Sequence, residues 1–305
     1  MPRKKTRKRG RSRGLLFILF GILILLVFVP LIKSHDTVRD ITEERSENNV
    51  SADNKEVYVV NVQERPETSI EDVVSEDKIE EQHGALVALV IDDFGFSYSM
   101  AEEIAAIDLP FTWAIIPHQR FTEKTVLLAE SKKIPYLVHM PMEALADKAQ
   151  GDSLIGVSMS APAVAKAVKD VFAIMPNAIG MNNHRGSKAT SNDQIMSVLM
   201  ETLAPMNKIF IDSRTSSKSV AYKTAQRFGV PSAYNSIFLD HETNIEFMRK
   251  QFQKAVTIAK KRGWVVAICH NRPDTIPFLQ ELCDSNINDV KFVTVPELLR
   301  IQKAQ

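Results

Sequence analysis

A chain of 305 residues that is 45% hydrophobic and 25% charged is too apolar to remain an unfolded polyelectrolyte, and its two cysteines are too few for a disulfide-stapled scaffold. The net charge of +1 conceals a segregation: the first fourteen residues hold eight basic groups and no acid, whereas residues 33–83 hold fifteen acidic residues against six basic ones. The remainder is close to neutral, which leaves a folded part with no strongly basic or acidic character.

The basic arm, residues 1–14, abuts "GLLFILFGILILLVFVPLI", an uncharged apolar run of about the length a bilayer core requires. Residues 15–32 are therefore expected to form a transmembrane signal anchor, which accounts for both features and sets a nucleic-acid role for the arm aside. The positive-inside rule holds the arm in the cytoplasm and sends the rest of the chain to the periplasmic side of the inner membrane. Residues 33–83 read as an acidic, disordered tether, in which the apolar patch Val57–Val62 could add an edge strand or dock a protein partner.

From Gly84 to the end, short apolar runs alternate with amphipathic segments. The expected strands are Ala85–Ile91, Phe111–Ile116, Ile134–His139, Ala178–Met181, Ile209–Asp212, Pro231–Leu239, Trp264–His270 and Lys291–Val295. The expected helices are Ser99–Ile107, Thr122–Ser131, Pro162–Ile174, Asp193–Leu203, Ser217–Phe228, Asn244–Arg262 and Ile276–Ser285. Pro162 suits a first helical turn, and Ser191 or Asn192 can cap the helix that follows. This alternation predicts one α/β domain over residues 84–305 with a parallel sheet, which becomes a barrel when wrapped through seven or eight strands. Cys269, inside an apolar run, reads as a buried small hydrophobe, and pairing with Cys283 stays open.

Polar residues gather where these strands end. The runs finish in Asp92-Asp93, in Pro117-His118, in "VHMPME" with His139 and Glu143, in "MNNHRGS", in "IDSRT" and in "ICHNRPDT". Five of the seven histidines stand at strand ends, and in a parallel barrel those ends share the face on which active sites are built. Aspartate and imidazole suit zinc or a similar divalent ion. Two adjacent carboxylates then cease to be a liability, since one can bind the cation while the other stays free as a base.

Taken in order, "IDDFG", "HMPME", "NNHRGSKAT" and "FIDSRT" resemble the divergent polysaccharide deacetylases, a branch related to the NodB-type carbohydrate esterases of family 4. The resemblance spans roughly Leu86 to Leu299 and implies a distorted, NodB-like (β/α) barrel of seven or eight parallel strands, a divalent metal, and removal of acetyl groups from an N-acetylated cell-envelope polysaccharide. It implies Asp92 as the base, Asp93, His139 and His184 as the metal ligands with Glu143 as a substitute, and His270 as the general acid. Arg214 is the expected donor to the tetrahedral oxygen, with Asn183, Asp212 and Ser213 binding substrate. The histidine pair spaced by four in the related esterases is here His139 and Glu143. That departure carries the alternative reading, an inactive envelope protein that uses the cleft to bind glycan or a protein partner.

Overall fold

In the computed structural model, which describes residues 84–147, 154–285, 287 and 290–304, the first strand, β1 (Leu86–Phe94), is apolar on both faces until it reaches Asp92. Its residues divide by parity between two cores. Val87, Leu89 and Ile91 pack outward against helices, while Leu86, Ala88 and Val90 join Ala114, Leu137, Ile211, Ala233, Val266 and Ile268 in a second cluster inside the sheet. A strand buried on both faces reads as a continuous hydrophobic run, which is what parallel sheets covered by helices require.

Six further strands follow: β2 (Thr112–Ile115), β3 (Tyr136–Met142), β4 (Gly180–Arg185), β5 (Ile209–Asp212), β6 (Ser232–Phe238) and β7 (Trp264–His270). Each pairs in parallel with its neighbours in sequence, and β7 pairs with β1 from Leu86 to Asp92, so the seven strands close into a barrel. An eighth, β8 (Lys291–Val293), shares the other edge of β1: it takes Leu86–Ala88, while β2 takes Val90–Phe94. The helices α1 (Tyr98–Ala105), α2 (Thr122–Ser131), α3 (Ala161–Ile174), α4 (Asp193–Leu203), α5 (Ala221–Arg227), α6 (Ile245–Arg262), α7 (Thr275–Asp284) and α8 (Val295–Ala304) connect or follow the strands.

Local chemistry fixes the boundaries. The Ser97 side chain accepts the Met100 N–H at the start of α1, and Asn192 does the same for Ile195 at α4, so Asn192 is the cap rather than Ser191. Helix α6 ends on Gly263 in the left-handed region, where glycine carries no Cβ penalty. Helix α8 was not foreseen: the run expected to stay extended to Val295 turns helical there, and Val295, Leu298 and Ile301 join the inner cluster at the end where β8 begins to displace β2. The Val295 N–H donates to Thr112 Oγ1 at 3.0 Å, tying this segment to β2. Both cysteines are free thiols, with Cys269 fully buried.

The anchor and tether expected over residues 1–83 lie outside the described residues. Among the described residues no helix is long and apolar enough to cross a membrane.

Candidate metal centre and its acid and base

The strand parity that fills the barrel interior also builds the site. Moving two residues along each strand from Val90, Leu137, Gly180, Ile211, Ala233 and Ile268 gives Asp92, His139, Asn182, Ser213, Asn235 and His270. These polar side chains form the layer above the apolar one at the C-terminal mouth, and all but the half-buried His270 are buried.

Asp93 has the wrong parity to join them, and it reaches the mouth by a backbone turn. Its φ of 65° lies in the left-handed region, followed by Gly95 at 115°. Such a conformation in a non-glycine residue costs free energy, so packing around it must hold it in place. The turn brings Asp93 Oδ1 to 3.2 Å from His139 Nε2 and 3.0 Å from His184 Nδ1, with the two imidazole nitrogens 3.2 Å apart. Their rings cross at 72°. One oxygen and two nitrogens thus converge from β1, β3 and β4, the grouping among the described residues that could hold a metal ion.

The hydrogen-bond network fixes which nitrogen of His139 is available. Asp92 accepts a bond from Asn182 Nδ2 at 2.8 Å, so the amide nitrogen of Asn182 faces β1 and its Oδ1 faces His139 Nδ1, also at 2.8 Å. A carbonyl oxygen only accepts, so Nδ1 carries the hydrogen and Nε2 of the neutral ring presents its lone pair to the cluster. Asp93 Oδ1 is buried and has no hydrogen-bond partner, a costly state for a carboxylate oxygen unless a cation meets it. The donor set therefore fits a divalent ion, with Asp93, His139 and His184 as three ligands.

Electrostatics point the same way. Burial works against charge on Asp93, but the adjoining imidazoles of His139 and His184 outweigh it and hold the carboxyl well below the usual carboxylate range. Burial works against charge on His139 as well, yet the neighbouring carboxylates of Asp92 and Asp93 draw its pKa upward. Asp92 is shifted up, chiefly by burial, which makes it a stronger base than an exposed aspartate.

Across the mouth, the His270 ring is half-buried, and Asp240 holds it. Asp240 is fully buried at the end of β6; it accepts the His270 backbone N–H at 2.7 Å, the ring Nδ1–H at 2.8 Å and the Thr275 hydroxyl at 3.1 Å. Burial lowers the His270 pKa, but the Asp240 hydrogen bond and charge more than reverse this and leave it raised. The Phe238 ring lies parallel to that of His270, with centroids 5.9 Å apart. Asp240 and Asn182 were both missing from the residues expected from sequence. Asn182 stands two residues before His184 and so shares its face of β4, a signal the sequence did carry.

None of the remaining candidates joins this donor cluster. Glu143 is bound by Lys188 Nζ at 2.6 Å and by the Val157 N–H at 2.8 Å, and it is not among the clustered metal donors. Asn183 accepts the Ser213 N–H and donates to the Arg185 carbonyl, bracing the ends of β4 and β5. Asp212 accepts from the Arg214 N–H, the Ser219 hydroxyl and the Tyr222 N–H, so it organises the turn into α5. Ser213 Oγ lies 3.3 Å from Asn182 Nδ2. The guanidinium of Arg214 stacks 3.5 Å above the Tyr234 ring.

Comparison with known proteins places this geometry. The sequence profile of the divergent polysaccharide deacetylases matches residues 89–299. An uncharacterized protein of Haemophilus influenzae is 37% identical over 217 residues, covering 71% of this chain and 78% of its own. The uncharacterized protein YibQ of Escherichia coli is 30% identical over 213 residues, covering 70% and 67% respectively. A crystal structure of an uncharacterized protein from Agrobacterium tumefaciens C58 superposes with a TM-score of 0.63 at 18% identity, covering 71% of this chain and 89% of that one, a likeness of fold. With the profile matched over more than half of its length, this chain belongs to the divergent polysaccharide deacetylase family.

Proposed function

We propose that the protein hydrolyses the acetamido group of an N-acetylated cell-envelope polysaccharide, releasing acetate and leaving a free amine on the sugar. The observation that carries this reading is the convergence of Asp93 Oδ1, His139 Nε2 and His184 Nδ1 beside a buried, pKa-raised carboxylate and near a carboxylate-backed imidazole. Asp93, His139 and His184 would hold a divalent ion, zinc being best suited to them, which would supply polarisation of the acetamide carbonyl and acidification of a water.

The protein's own residues supply the rest. Asp92, shifted up by burial and held by Asn182, takes the proton from the attacking water. His270, protonated and held at Nδ1 by Asp240, delivers a proton from Nε2 to the departing amine as the C–N bond breaks. Backbone amides at the mouth are the donors proposed to meet negative charge on the tetrahedral oxygen. Asn183, Asp212 and Ser213 are proposed to shape the rim that receives the sugar. The basic arm and apolar run of residues 1–32 support an anchored domain working outside the cytoplasm, where envelope glycan is found.

The test is acetate release from N-acetylated oligosaccharides by the full-length chain, before and after metal removal, with bound metal quantified. Release that stops on chelation, returns on adding zinc and is lost in Asp92→Asn supports the reading. Stoichiometric metal with no release from any acetylated glycan, or full release by the metal-free protein, overturns it.

A further inference from the structure

A second concavity, about 730 Å³, opens between the loop after β5, α5, the second half of β6 and α6. Its walls carry Arg214, Lys223, Ser217, Asn235, Phe238 and Gln251, and no carboxylate lines it. Neither cation is neutralised: no ion pair joins Arg214 or Lys223 to an acid among the described residues, and the Asp212 carboxylate nearby is taken up by the Ser219 hydroxyl and two backbone N–H groups. Stacking on Tyr234 fixes the Arg214 guanidinium in place, which reduces the entropy lost when it binds.

Gln251 provides an independent sign of a ligand. It is only 7% exposed, and its Oε1 is buried without a hydrogen-bond partner. A buried amide oxygen left unmatched costs free energy, and a hydroxyl donor would relieve it. The concavity therefore offers two uncompensated positive charges and one acceptor waiting for a hydroxyl, a combination that a charged sugar satisfies and a neutral hydrophobic ligand does not.

The concavity is also wired to the chemistry. Phe238 lines it and stacks on His270, while Asn235 lines it and donates to the Ser213 carbonyl at 3.3 Å; the Ser213 hydroxyl meets Asn182, which in turn holds Asp92. We propose that this concavity is a subsite for an anionic sugar, carrying a carboxylate or a phosphate ester, adjacent to the N-acetylated sugar on which the metal centre acts. The proposal rests on the deacetylase reading for the neighbouring sugar, but binding tests it separately from turnover.

The experiment titrates the full-length protein with three N-acetylated oligosaccharides of equal length: one with a uronate neighbour, one with a phosphorylated neighbour, and a neutral one made by reducing the uronate. Tighter binding of either charged ligand by about tenfold, weakening with salt, is the expected result, and the tighter of the two identifies the anion. Lys223→Glu should abolish that preference, and Gln251→Leu should weaken all three ligands together. Equal affinity for charged and neutral ligands, or a preference that survives Lys223→Glu, overturns the proposal. Charge-selective binding without acetate release from any of them would uphold the subsite and defeat the deacetylase reading alone.

Discussion

Asp240 grips His270 at two points, its Oδ2 accepting the backbone N–H at 2.7 Å and its Oδ1 accepting from the ring Nδ1 at 2.8 Å. The backbone bond locates the carboxylate, and the ring bond then assigns the Nδ1 hydrogen, which leaves Nε2 as the nitrogen that exchanges protons. Since β6 and β7 are paired only as far as Phe238 and Ile268, this contact also continues the junction of the two strands beyond their ladder.

Asp240→Asn separates these roles. A general acid must be protonated, so activity should fall as pH rises through the His270 pKa, which Asp240 holds above its usual value against the effect of burial. Asparagine keeps a hydrogen bond but removes the charge, so the alkaline limb of the kcat profile should move to lower pH. At the optimum, kcat should drop by part of the ~10²–10⁴-fold that a general acid supplies. Stability follows the same sign: a histidine with a raised folded pKa stabilises the fold below its unfolded value of about 6.5 and loses that contribution as pH rises through the folded pKa. The variant's deficit in urea unfolding should therefore be larger at pH 6 than at pH 9. An unmoved alkaline limb would remove His270 from the role of acid.

Asn182 is expected to position the ligand His139. It donates to Asp92 and accepts from His139 Nδ1, so Asn182→Leu leaves two buried groups without partners and frees the imidazole to change tautomer. The expected result is a loss of zinc affinity of about 10–100-fold by competition with a chromophoric chelator, the range typical of lost outer contacts to a ligating histidine. A circular dichroism spectrum unchanged from wild type would show that the barrel persists.

His184→Ala should go further and take bound zinc from one ion per chain towards none, because it removes one of three donors that meet within 4.8 Å. Wild type should gain thermal stability on adding zinc, in proportion to the logarithm of its free concentration above Kd, and the variant should not. A variant that still melts higher with zinc would move the ion elsewhere.

The sequence made the barrel readable because its strands are buried on both faces and its helices amphipathic, which gives two distinct periodicities in alternation. It made the candidate metal cluster readable because aspartate and histidine stood at the ends of the first, third and fourth strands. Strand β4 was harder: its last four residues, Asn182 to Arg185, are polar, yet they pair with His139 to Met142 of β3 and extend the strand past the expected end at Met181. Pairing with a neighbour, which no local propensity records, decided that boundary. Asp240 escaped for a related reason. It follows the irregular β6, where the register slips between Asn235 and Ile237, so counting along the strand does not foretell which face its end presents. Helix α8 was hidden because its first buried residue, Val295, continues the apolar run of the preceding strand, so the strand signal ran on into the helix.

Gly180→Ala tests how closely the site depends on the barrel beneath it. A Cβ at Gly180 would stand 2.1 Å from the Ile209 carbonyl oxygen and 2.7 Å from its carbon, both backbone atoms of the paired strand, so β4 and β5 must separate to admit one methyl group. Overpacking of this kind costs about 1–3 kcal/mol, which for a domain of this size lowers Tm by roughly 2–12 °C. The same separation displaces Asn182, two residues further along β4, from Asp92 and His139, so zinc affinity should fall even though no ligand has been changed. Gly84→Ala is the control, because a Cβ there meets nothing within 4 Å and both Tm and zinc affinity should stay at wild-type values. If Gly180→Ala lowered Tm and left zinc affinity intact, the metal centre would be insulated from strand spacing, and the placement of Asn182 by β4 would not be what orients His139.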